Sequence, residues 1–164
     1  MPSHLRSEGP ARTVETMSVE HLQPTQTASP SPVILLVEDD LRVRTLLSQV
    51  LDTAGFGLLA CSDPAEALAA ARTVPRIDVL VTDVGLPGMC GSELAERLQE
   101  THPGLEVLFM SGLASPEDLR HRFGDDEDRF MQKPFRPSEF VAKVIHLAAR
   151  NRLGKPERSI LKTG

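Results

Sequence analysis

The chain has 164 residues, 40 % of them hydrophobic and 25 % charged, with no Trp and no Tyr, so any core must be aliphatic. That length suits one domain with tails, and no apolar run approaches the roughly 20 residues needed to cross a bilayer. The formal charge of −5 is unevenly spread: residues 1–32 carry −1 and residues 150–164 carry +4, which leaves −8 on residues 33–149 and argues against a nucleic-acid surface on the domain itself.

The first residues show no apolar core of a secretory signal, and Cys61 and Cys90 have no metal-ligand spacing. A cytoplasmic chain with two free thiols is the expectation, with no membrane partner. Residues 1–31 are rich in Pro, Ser, Thr and Gln and poor in large apolar side chains. Such a segment buries too little surface to offset its ordering entropy, so a disordered leader is expected. Residues 32–150 read as the folded domain and 151–164 as a flexible basic tail.

From Val33 the pattern changes. Val33 to Val37 is a continuous apolar run, as a strand buried on both faces requires. Val43, Leu46, Leu47, Val50, Leu51 and Ala54 then recur at helical spacing, and Gly55 stops them. Gly57 to Cys61 reads as a weaker second strand. Asp63-Pro64-Ala65-Glu66 has a capping side chain, a first-turn Pro and an acid three residues on, so a helix to about Thr73 is predicted. Ile77 to Thr82 is a third strand, Gly85 to Gly91 a loop broken by Pro87, and Ser92 opens a helix to about Thr101. Leu105 to Met110 is a fourth strand. Ser115-Pro116-Glu117-Asp118 starts a fourth helix, Asp125 to Asp128 reads as an acidic turn, and Arg129 to Gln132 as a short fifth strand. A last helix from about Ser138 to Arg150 is predicted to bury Phe140, Val141, Val144, Ile145 and Ala148. Strands alternating with helices call for an α/β fold, a doubly wound parallel sheet covered on both faces.

Ligand sites in such sheets lie beyond the carboxyl ends of the strands. Here those ends carry Glu38-Asp39-Asp40, Asp83, Ser111 and Lys133. Taken singly, Asp39 or Asp40 reads as a helix cap, Ser111 as a turn residue and Lys133 as a solvated loop residue. An acid directly after a buried strand, as Asp83 is, needs a partner. Two like charges about 4 Å apart repel by roughly 4 kcal/mol at an effective dielectric of about 20. Clustered carboxylates therefore call for a cation, and Mg²⁺ suits a site of few carboxylates, waters and phosphate oxygens. Lys133 adds a mobile positive charge, Ser111 a hydroxyl donor, and Asp83 a nucleophile able to form an acyl phosphate.

The runs ILLVEDD, VLVTDVGLPGMCGSEL, VLFMSG and FMQKPF, in that order and each at a predicted strand, resemble response-regulator receiver domains over residues 33 to about 149. The resemblance implies a flavodoxin-like five-stranded sheet in the order 2-1-3-4-5. It implies Asp83 as phospho-acceptor, with a sensor histidine kinase or phosphotransfer protein as donor. The metal would be held by Glu38, Asp39, Asp83 and the backbone carbonyl of Gly85, with Asp40 mainly a helix cap. Lys133 and Ser111 would meet phosphoryl oxygens, Ser111 and Phe130 would form the switch, and the Lys133–Pro134 bond would be cis. Signalling would run through protein contacts on the face of the fourth helix, fifth strand and last helix. Phe130 also fits plain core. Gly85 and Leu113 offer no polar side chain to orient an attacking water, so a slowly hydrolysing phosphorylated state is expected.

Two other functions compete. An aspartate-nucleophile phosphatase would place a second Asp two residues after the nucleophile, where this chain has Gly85. A docking module with a silent site would not need the full set of acids, hydroxyl and lysine. The expectation is a signalling domain rather than an enzyme. With only about 14 residues after 150, it reads as a stand-alone receiver or as a piece of a larger chain.

Overall fold

The structure, a computed structural model, describes residues 30–112, 117, 118, 121 and 124–153. The apolar runs form five strands: β1 (Val33–Val37), β2 (Gly57–Cys61), β3 (Val79–Asp83), β4 (Glu106–Ser111) and β5 (Phe130–Gln132). All pair in parallel, in the order β2-β1-β3-β4-β5. Four helices are described: α1 (Leu41–Thr53), α2 (Pro64–Ala71), α3 (Gly91–Thr101) and α4 (Pro137–Arg152). The helix expected to open at Ser115 lies on a stretch of which only Glu117, Asp118 and His121 are described. Leu113, residues 1–29 of the expected leader and residues 154–164 lie outside the described residues.

Helix starts follow local chemistry. Asp40 Oδ1 accepts from the backbone N–H groups of Arg42 and Val43 at 2.7 and 3.2 Å, satisfying donors that α1 itself leaves open. At α2, Asp63 Oδ1 accepts from Glu66 N at 2.9 Å, while the Glu66 carboxylate accepts from Ser62 N at 2.7 Å. Gly55, just past α1, has φ +85°, the left-handed region that a side chain disfavours.

Alternate residues of each central strand face opposite layers, which makes the fold doubly wound. Leu35, Val37, Leu80 and Val107 pack with Ala67, Leu94 and Leu98 of α2 and α3. Ile34, Leu36, Val79 and Leu108 pack with Leu47, Leu51, Phe140 and Val144 of α1 and α4. Three expected core residues are exposed: Leu46 at 50 %, Ile145 at 53 % and Ala54 at the end of α1. In α4, Leu147 takes a core place instead, because a 3.6-residue repeat permits several rotations of the helix and contact with β4 selects one. β3 and β4 also run one residue further than expected, so Asp83 and Ser111 are the last strand residues rather than the first after them.

The acidic turn before β5 is tied to α4. Arg150 makes a two-pronged ion pair with Asp126, at 2.9 and 3.3 Å, and lies 3.8 Å from the buried Glu106. The exposed His146 lies 3.1 Å from Asp128. The Arg150 hydrogen bonds hold the Asp126 carboxyl below its ordinary value of 3.8. A carboxyl depressed in the fold contributes stability that is present above its unfolded pKa and lost as pH falls through its folded pKa. Asp126→Asn is therefore expected to be less stable than the wild type at neutral pH, with the two curves converging below about pH 4. Denaturation midpoints measured across that range check it, and a constant offset between the curves would count against it.

Candidate functional site

The carboxyl edge of the sheet gathers the acidic residues. β1 delivers Glu38, which is 1 % exposed, and the exposed Asp39 just beyond it. β3 ends on Asp83, and Lys133 follows β5 directly. The Lys133 backbone N–H donates to the Ser111 carbonyl at 2.8 Å, which fixes how far the lysine reaches past the sheet. Oxygen atoms of Glu38, Asp39 and Asp83 all lie within 4.8 Å of one another.

Lys133 bridges this acidic cluster. Its Nζ is 2.7 Å from Glu38 Oε2 and 2.8 Å from Asp83 Oδ1. Burial raises the Glu38 carboxyl above its ordinary value, against the lowering effect of the Lys133 hydrogen bond. Burial works to lower the Lys133 ammonium, but the hydrogen bonds and charges of Asp83 and Glu38 together outweigh it and the net shift is upward. The lysine is therefore held charged between two carboxylates. Three carboxylates from two strand ends make a hard-oxygen donor set, which fits Mg²⁺ better than a soft-ligand metal.

The remaining expected residues take separate places. Ser111 is 7 % exposed at the end of β4, on the strand beside β3. Phe130 is half-buried, its ring stacked on Phe109 with centroids 5.7 Å apart. That puts it against the residue two before Ser111 rather than among the acids. Gly85 lies two residues past Asp83, and a Cβ there would meet nothing within 4 Å. Asp40 acts as the α1 cap, and the Lys133–Pro134 bond is cis.

Two contributors were not anticipated from the sequence. Arg44, in the first turns of α1, donates to the Glu38 carbonyl at 2.6 Å. Gly91, read only as a loop residue, is the first residue of α3 and passes directly against the backbone of Asp83. An Arg one turn into the helix after an acidic run could have suggested the first contact. No local pattern signals the second.

Comparison with known proteins agrees with this geometry. The model of the response regulator receiver domain family matches residues 34–145. The chain is 35 % identical over 126 residues to the transcriptional activator protein PfeR of Pseudomonas aeruginosa, a match covering 77 % of this chain and 41 % of that protein. It is 31 % identical over 118 residues to the DNA-binding response regulator MtrA of Mycolicibacterium paratuberculosis, covering 72 % and 52 % respectively. The chain thus spans about half the length of the curated relatives it matches. The crystal structure of a CheY-like receiver domain protein from Methanospirillum hungatei JF-1 aligns with a TM-score of 0.65 at 25 % identity, over 75 % of this chain and 98 % of that one. No helix among the described residues is long and apolar enough to cross a membrane. From the strand order, the acidic edge and the match along residues 34–145, the chain belongs to the response regulator receiver domain family, the signalling domains of two-component systems.

Proposed function

We propose that Asp83 accepts a phosphoryl group from a phosphohistidine on a sensor histidine kinase or phosphotransfer protein. The observation that carries this reading is the Lys133 ammonium held between Glu38 and Asp83, residues 95 and 50 positions away in the chain. A carboxylate oxygen of Asp83 forms the new bond to phosphorus while the phosphorus–nitrogen bond of the donor breaks. That electron pair leaves on the imidazole nitrogen, which takes a proton from solvent. Glu38, Asp39, Asp83 and the Gly85 carbonyl would hold Mg²⁺, which supplies charge neutralisation for the transferring group. Lys133 follows the charge from the Asp83 carboxylate to a phosphoryl oxygen.

Phosphorylation adds about −1.5 to −2 charges at the end of β3. Ser111 turns its hydroxyl toward a phosphoryl oxygen, and Phe130 moves into the space behind it. The face of the helix expected from Ser115, β5 and α4 changes shape, a two-state element biased by a local charge. Output then runs through contact with a protein partner. Gly85 leaves the phosphoryl group without a polar neighbour at that position, which supports a long-lived acyl phosphate.

Incubation with acetyl phosphate and Mg²⁺ tests the assignment. Intact-mass measurement should show gain of one phosphoryl group, lost on alkaline treatment and absent in Asp83→Asn. Equal labelling of wild type and Asp83→Asn would refute it, as would no labelling of the wild type by acetyl phosphate together with no response to a beryllofluoride mimic.

A further inference from the structure

We propose that Arg44 is a positioning residue for the divalent-cation site, holding the Glu38–Asp39 turn in the form that presents both carboxylates. The inference rests on the receiver-site reading above and extends it to a residue outside the acid–lysine set.

The geometry is a closed loop of interactions. Arg44 Nη1 donates to the Glu38 carbonyl at 2.6 Å and reaches the Asp39 carbonyl at 3.4 Å. Both carbonyls lie past the end of β1, which stops at Val37. The sheet backbone also holds this turn through the bond from Glu38 N to the Cys61 carbonyl, at 3.2 Å, and Asp40 N donates to Glu38 Oε1 at 3.2 Å. Glu38 is 1 % exposed, so its carbonyl, without the guanidinium, would need another donor. Asp40 completes the circuit: its side chain caps α1, and its carbonyl accepts from Arg44 N at 2.9 Å. The residue that starts the helix thus aims the arginine back at the turn that starts the site.

Two effects of Arg44 carry opposite signs, and this makes the idea testable. As a bare positive charge it repels a divalent cation, so its removal should tighten Mg²⁺ binding. As a support for the residues that hold the cation, its removal should weaken binding, by about tenfold, the low end for loss of a partner that orients metal ligands. Lysine keeps the charge and one donor, so it should recover most of the support.

Calorimetric titration of the unphosphorylated full chain with MgCl₂ reads the difference directly. Arg44→Met is expected to bind Mg²⁺ about tenfold more weakly than wild type, and Arg44→Lys to regain most of that loss. Leu51→Ala, which empties a fully buried site at the far end of the same helix, is expected to keep wild-type affinity despite lower stability. Unchanged or tighter binding by Arg44→Met overturns the inference. So does equal weakening in Leu51→Ala, which would mean that general loosening of α1 is the cause. Absence of Mg²⁺ binding by the wild type overturns the receiver-site reading itself, an outcome distinct from either of these.

Discussion

Lys133→Met is expected to lose about 2–3 kcal/mol of folding stability without divalent cations, and to regain most of it in saturating Mg²⁺. Removing one partner of a buried ion pair typically costs about 3–5 kcal/mol, because the other charge stays behind without compensation. Lys133 is 24 % exposed, so solvent softens the loss to the lower figure. What remains is a nearly fully buried Glu38 with Asp39 and Asp83 oxygens within 4.8 Å and no ammonium between them. Met approximates the length and apolar stem of Lys, so the lost charge rather than a cavity dominates. The distinguishing result is the size of the cation effect: Mg²⁺ should raise the unfolding midpoint of Lys133→Met by more than it raises that of the wild type. Equal shifts in the two proteins would show that the lysine does not offset the acidic cluster. Phosphorylation from acetyl phosphate should also slow, since the group that follows the transferring charge is gone.

Gly91→Ala is expected to disturb the site without touching any acidic or basic side chain. A Cβ at Gly91 would lie 2.3 Å from the Asp83 backbone oxygen, 3.0 Å from Thr82 Cγ2 and 3.2 Å from the Asp83 carbonyl carbon. The close approach is held by the bond from Gly91 N to the Val84 carbonyl, at 3.1 Å. Backbone has no rotamer by which to yield, so either the start of α3 or the Asp83 peptide must shift. Overpacking of this kind costs about 1–3 kcal/mol. A displacement of about 1 Å at a reacting group costs on the order of a hundredfold in rate. We expect Gly91→Ala to lose stability in that range and to be labelled by acetyl phosphate about a hundredfold more slowly. Gly85→Ala is the control for stability, because a Cβ there meets nothing within 4 Å. Gly91→Ala and Gly85→Ala melting together would sink the argument.

Much of this molecule is legible residue by residue. Val33 to Val37 is apolar without a break because both faces of β1 are covered, and Ile34 to Val37 are all fully buried. Asp40 and Asp63 cap helices because short acidic side chains satisfy backbone donors within reach of their own Cα, a matter of a few residues. The acidic and basic site residues were placed at strand ends by the same alternation of strands and helices. The order β2-β1-β3-β4-β5 was supplied by the resemblance to receiver domains, not by the apolar pattern.

Other features depend on partners distant in the chain. The burial of Leu147 and exposure of Ile145 follow from how α4 turns against the sheet. Asp78 and Glu106, each 2 % exposed at or beside the starts of central strands, are tolerable inside because Val33 and Asn151 meet the first and Arg150 comes back to the second. Arg44 over the Glu38 carbonyl and Gly91 against Asp83 join residues only six and eight positions apart, yet depend on how a strand end meets the helix that follows it. The sequence by itself determined the elements, their caps and the chemistry available at the strand ends, since each depends on interactions over a few residues. Only the tertiary structure decided which helix face is inward, which buried charge is met and how closely α3 approaches Asp83, because those distances are set by how the elements pack on one another.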